Sequence, residues 1–245
     1  GKRNSSTGAA NICYLLAWKK DERIRGEISS GTAEDYVEYL WTPDSSFHHI
    51  VFTWDGSNLK LYLDGTLVAS KAQVVASAQV TSDNLWIGRS RLASEIWDGK
   101  IALVRIYNRA LTDTEVTQNY NSVVDPDNYS PVIDSSLVLY LKPDSIDPQS
   151  KYWWDESGNG NHGTTHGATA KGLAVDLDGV DDNVEVPVSL SLNITDTITI
   201  EAWVKTTTTG KDMVIVSKSD NKYGHCQAIP GCSGQTRRTG SGQHT

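Results

Sequence analysis

Cysteine is scarce in this chain: Cys13, Cys226 and Cys232 are the only three in 245 residues. Three is too few for a disulfide framework, and an odd number leaves at least one thiol unpaired. No apolar run approaches the ~20 residues needed to cross a bilayer. A charged-then-apolar leader is also missing at the amino terminus. The only methionine is Met213, so we read the chain as lacking its natural start, which leaves the compartment of the parent protein open. Positive charge is in deficit as well, with a formal net charge of -8. The close basic pairs are Lys2-Arg3, Lys19-Lys20 and Arg237-Arg238, and none builds the clustered basic face that binding phosphate demands. We therefore expect no nucleic-acid partner and no membrane insertion.

What is present is alternation. In His48–Trp54, Ile50, Phe52 and Trp54 share one face, and in the next segment Leu59, Leu61 and Leu63 do the same. Asp55-Gly56 and Asp64-Gly65 fall where these strands must turn, because glycine tolerates the positive φ of a hairpin. One-sided strands need a second sheet to bury against, so the expected fold is an all-β, antiparallel β-sandwich. Further strands are predicted at Ile12–Trp18, Arg23–Ser29, Tyr36–Trp41, Thr66–Ser70, Asn84–Gly88 and Lys100–Tyr107. After a break they resume at Leu137–Leu141, Leu173–Leu177, Asn183–Val186, Ile198–Lys205 and Met213–Lys218. One short helix is predicted over Leu111–Asn121. There Thr112 and Glu115 form a capping box, with Leu111 and Val116 as its hydrophobic staple.

The segment 122–136, with Asp125-Pro126-Asp127 and Ser130-Pro131, reads as a linker. It divides the chain into residues 1–121, residues 137–224 and a tail, 225–245, without apolar periodicity. Residues 1–11 read as a frayed, polar start.

The sequence has family features. Phe47-His48-His49-Ile50-Val51-Phe52-Thr53-Trp54-Asp55-Gly56, Leu61-Tyr62-Leu63-Asp64-Gly65 and Val104-Arg105-Ile106-Tyr107-Asn108-Arg109-Ala110-Leu111 resemble the back half of a laminin-G-like, concanavalin A-like jelly roll. Asp155-Glu156-Ser157-Gly158-Asn159-Gly160-Asn161-His162-Gly163, Leu177-Asp178-Gly179-Val180-Asp181-Asp182 and Ile200-Glu201-Ala202-Trp203-Val204 resemble its front half. The halves come in inverted order, as in a piece cut from a tandem array: the back of one repeat, then the front of the next. Left apart, they would expose apolar faces and bare strand edges. We therefore expect them to complete one circularly permuted jelly roll. The strand beside Leu137–Leu141 decides that point.

The resemblance implies a non-catalytic module of a secreted or cell-surface protein that binds a glycan or an extracellular protein. A glycoside hydrolase of the same fold and a structural spacer repeat are the alternatives. Hydrolysis on this fold needs two carboxylates on one face, about 5–5.5 Å apart in retaining enzymes. The best acidic strand offers only Glu201, whose same-face neighbours are Thr199, Trp203 and Lys205. His48-His49 has no nucleophile beside it, and adjacent strand residues point to opposite faces.

For sugar stacking the candidates are Tyr36, Trp41, Trp97 and Trp153, which lie near strand ends or loops; packing is the alternative role for each. Trp54 and Trp203 read as core. Asp178, Asp181 and Asp182, with Asn183, gather oxygen ligands in a glycine-containing turn, a set suited to Ca²⁺. The alternative is an ordinary hairpin turn with solvated carboxylates. The resemblance implies Ca²⁺ as a cofactor, but Ala102-Leu103 stands where the family commonly shows an acidic pair. Asn4, Asn128 and Asn193 head glycosylation sequons; under permutation Cys13 and Cys226 would sit near the same junction, where unpaired thiols are the default reading and a disulfide the alternative.

Overall fold

The computed structural model describes residues 12–91, 95–147 and 149–219. The tail cysteines Cys226 and Cys232, the Asn4 sequon, the frayed start and the 225–245 tail lie outside the described residues. The first eight strands are β1 (Ile12–Lys19), β2 (Arg23–Ser29), β3 (Glu34–Leu40), β4 (His48–Trp54), β5 (Asn58–Leu63), β6 (Thr66–Ala72), β7 (Leu85–Ile87) and β8 (Asp98–Tyr107). Helix α1 (Asp113–Val124) follows. After it come β9 (Leu137–Asp147), β10 (Tyr152–Asp155), β11 (Gly163–His166), β12 (Thr169–Ala170), β13 (Val175–Asp178), β14 (Asn183–Val186), β15 (Ile198–Lys205) and β16 (Met213–Ser219).

All pairings among these strands are antiparallel, and fourteen strands run in one hydrogen-bonded path, β3-β2-β1-β16-β7-β14-β11-β10-β9-β8-β15-β4-β5-β6, while β12 pairs with β13 and β13 with β8. The path folds over on itself into a β-sandwich. A Cβ at Gly26 on β2 would fall inside the ring of Phe52 on β4, so these two strands face each other across the core. Lys71 of β6 reaches Asp35 of β3 and ties the two ends of the path together. The core between the layers collects Trp18, Phe52, Trp54, Trp97, Leu141, Trp153, Ile200 and Ile215, all essentially inaccessible to solvent.

The strand beside Leu137–Leu141 is β8. Val104 opposes Leu141, Ile106 opposes Leu139 and Tyr107 opposes Leu137. Next to β8 on its other side is β15, with Glu201 opposite Arg105. Sequence from both sides of the linker thus interleaves in one sheet and shares one core. At the opposite end β16 enters between β1 and β7, and Ile12 pairs with Ser219.

The helix carries the expected capping box. The Glu115 N–H donates to Thr112 Oγ1 and the Thr112 N–H donates to the Glu115 carboxylate. It extends to Val124, three residues into the predicted linker, because Asn119 and Ser122 are buried against the sheet. The helix lies over the outer face of the sheet. Val116 and Leu111 pack with Val51, Tyr62, Tyr107 and Leu137, and Tyr120 closes over Gly65, where φ is +75°. Strands β10, β11 and β12 were not expected from the sequence; two are four residues long and one is two, set among Ser, Gly, Asn and Thr.

Candidate functional site

Three of the four aromatic residues expected to stack on a sugar are core residues. Trp41, Trp97 and Trp153 are buried, and Trp153 donates from Nε1 to the Lys142 carbonyl. A ring with no exposed face cannot meet a ligand, so burial overturns their binding role. Tyr36 is half-exposed, but Arg25 lies 4.1 Å over its ring and Lys71 5.2 Å from the centroid. The four do not converge on one surface.

The exposed aromatic surface sits one residue away. On β10 the alternation sends Trp153 and Asp155 inward and Tyr152 and Trp154 outward. Tyr152 is 42% exposed and Trp154 is 43% exposed, against 0% for Trp153. Their ring centroids are 5.3 Å apart, and the His162 ring meets Trp154 edge-on at 4.8 Å. His162 is held in place by Nδ1, which accepts the Asp155 N–H at 3.0 Å. Beside these rings Lys142 sets its ammonium 3.6 Å from Asp144 and 4.0 Å from Glu156. Apolar ring faces flanked by donors and acceptors are the chemistry that grips a pyranose.

Lys142 also lines a groove of about 690 Å³ on the outer face of the sheet. Phe47, Pro126, Pro131, Tyr140, Leu173 and Trp203 form its largely apolar walls, with Arg105 at the base. Trp203 is buried there in a three-ring cluster, 5.4 Å from His49 and 5.6 Å from Tyr120, whose own rings are 6.0 Å apart.

Beneath the helix lies the one acidic residue of β15. Glu201 is fully buried; its Oε1 accepts from Arg105 at 2.5 Å and its Oε2 from Asn119 at 2.9 Å. His49 Nε2 stands 3.4 Å from the same carboxylate. Burial alone would raise the Glu201 pKa, but the Arg105 charge, with His49 and Asn119, holds it down at about 2. Asn119 also donates to the Tyr107 hydroxyl and accepts the Val132 N–H, so helix, sheet and linker meet at one buried polar node. Thr199, on the same face of β15, donates from its hydroxyl to the Arg109 carbonyl and accepts the Leu111 N–H.

Residues 3–117 match the family described as the concanavalin A-like lectin/glucanases superfamily, in its laminin-G form. That segment is laminin-G-like. No curated protein and no solved structure matches the chain. The laminin-G-like match supplies β1 to β8 and the start of α1, while β9 to β16 supply the strands that bury its open faces.

The expected acidic cluster does form. One carboxylate oxygen from each of Asp178, Asp181 and Asp182 lies within 4.8 Å of the others. Asp178 accepts the Val180 N–H and Asp182 accepts the Asp178 N–H, leaving further carboxylate oxygens available. Burial, reinforced by the neighbouring aspartates, raises the Asp182 pKa. A hard, oxygen-seeking cation would relieve that repulsion, so the donor set fits Ca²⁺. Lys211, whose Nζ donates to the Gly179 carbonyl, already supplies one positive charge next to the turn.

Proposed function

We propose that this chain is a non-catalytic, glycan-binding module of a secreted or cell-surface protein, and that Tyr152 and Trp154 form its stacking platform. The single observation that carries the reading is the pair of solvent-facing rings, braced by His162 and bordered by Lys142, Asp144 and Glu156. A hydrolytic role is disfavoured by the ionised Glu201, locked to Arg105 beneath the helix. Asp144 and Glu156 are well exposed, with the Lys142 ammonium between them. A glycosidase acid is instead kept protonated by an apolar setting. Purified protein on a glycan array should give a defined set of positives, and Trp154→Ala should weaken them about tenfold, about 1.4 kcal/mol. Silence across the array would favour the spacer alternative, and release of reducing sugar from a β-glucan would overturn the non-catalytic reading.

A second reading, capture of an extracellular protein, is favoured by the apolar groove walled by Phe47, Pro126, Pro131 and Trp203. Binding partners lost on Phe47→Asp and kept on Trp154→Ala would support it.

Calcium is the proposed ligand of Asp178, Asp181 and Asp182. Adding millimolar Ca²⁺ after chelation should raise the melting temperature by a few degrees, as any ligand selective for the folded state does. The double variant D178N/D181N should abolish that rise; an equal rise in the variant places the cation elsewhere.

A further inference from the structure

The platform is one end of a longer strip. Register places Tyr152 opposite Thr164, Thr164 opposite Glu185, and Glu185 opposite Trp86. Directly opposed residues of antiparallel strands share a face, so this row runs straight across β10, β11, β14 and β7 on the outer surface. Their immediate neighbours Trp153, Gly163, Val184 and Ile87 point into the core. The row therefore runs from the solvent-facing rings of Tyr152 and Trp154 at one end to Trp86 at the other, which is partly buried and carries the Arg89 guanidinium over its ring. Three strand spacings separate the ends, about 14 Å.

Planar polar groups fill the middle. Glu185 pairs through Oε1 with Asn84 and through Oε2 with His166 at 3.1 Å. At the far end the Arg89 guanidinium lies 4.4 Å over the Trp86 ring and is held by the Ser90 and Arg91 carbonyls. The carboxylate of Glu185 acts electrostatically on Arg89, so acid and base offset each other along the strip. A charged polymer gains little from such a surface. A neutral chain that is straight, has apolar ring faces and carries hydroxyls along its edges matches it.

We propose that the strip from Trp154 to Trp86 binds a neutral β-1,4-linked polysaccharide laid across the strands, with a second subsite at Trp86 and Arg89. This deepens, and rests on, the glycan-binding reading of the Tyr152 and Trp154 platform. One pyranose unit corresponds to roughly one strand spacing, so about four units are needed to touch both ends. Glu185, Asn84 and His166 engage hydroxyls of the central units, and the Arg89 guanidinium donates to those of the last.

Calorimetric titration with cellobiose, cellotetraose and cellohexaose tests this. Affinity should rise at least about tenfold from two units to four, because the second contact becomes intramolecular, and then level off. Trp86→Leu should remove that gain, and Trp154→Ala should weaken every length. Glu185→Gln, which keeps the side chain's shape, should reduce the affinity for four and six units but not for two, and serves as the deciding variant if Trp86→Leu destabilises β7. Equal affinity for all lengths, or indifference of cellotetraose to both strip variants, overturns the strip and leaves the platform standing. Failure to bind any of the three sugars, alongside Trp154-dependent positives on the array, overturns the strip's ligand. Silence in both assays removes the strip and the glycan-binding reading together.

Discussion

Replacing Arg105 by alanine should cost about 3–5 kcal/mol, the penalty for leaving a buried charge without its partner. Arg105 and Glu201 oppose each other on β8 and β15, both are sealed from solvent, and their charged groups are 2.5 Å apart. Urea denaturation of Arg105→Ala at pH 7 reads the loss. Its pH dependence separates this cause from mere loss of packing. In the native protein the Glu201 pKa is depressed to about 2 from an ordinary 4.5. Its stabilising contribution is thus full above pH 4.5 and is lost as the pH falls towards 2. Without Arg105, burial dominates and raises the Glu201 pKa above its unfolded value. The variant then loses stability as the pH climbs past that value, so the gap from the native protein should widen between pH 4 and pH 7. A gap independent of pH would show that the carboxylate is not the source. The paired replacement Arg105→Met with Glu201→Leu should recover much of the loss, because two apolar side chains leave no uncompensated charge.

The neighbouring tryptophans of β10 should behave in opposite ways. Trp153→Ala should cost about 3–5 kcal/mol by emptying a fully buried indole site. Trp154→Ala should change stability by no more than about 0.5 kcal/mol, as exposed substitutions generally do. Thermal unfolding of the two variants side by side measures both. A large destabilisation by Trp154→Ala would mean that its ring is part of the packing, and the stacking platform would lose its basis. A small one by Trp153→Ala would contradict its place between β9 and β11.

The same pair explains what sequence could and could not deliver. Strands with clean alternation, such as His48–Trp54 and Ile198–Lys205, were legible to the residue, because a two-residue period beside an apolar core has one solution. The capping box at Thr112 was equally legible, since its chemistry is local. Tyr152–Asp155 was not. Four residues carry too little pattern to reveal a strand, and without its register either Trp153 or Trp154 could face out. Placement near a loop suggested Trp153; the strand's pairing with β9 at Ile146 and Leu141 turns it inward. Glu201 showed its own face in the sequence, with Thr199 and Trp203 beside it. Its partners Arg105, Asn119 and His49 come from three other elements, and no local pattern encodes such a meeting. The Asp178, Asp181 and Asp182 cluster was visible because a single tight turn makes it.

The position of β16 has a consequence for the order of assembly. Met213–Ser219 occupies an interior slot between β1 and β7, although it is the last of the described strands along the chain. Until that segment has left the ribosome, β1 and β7 each present a bare edge beside uncovered apolar side chains. Pairing Ile12 with Ser219 is also among the most distant closures the chain makes, which slows folding. Nascent and truncated forms that stop short of Met213 should therefore depend on chaperones and aggregate in their absence.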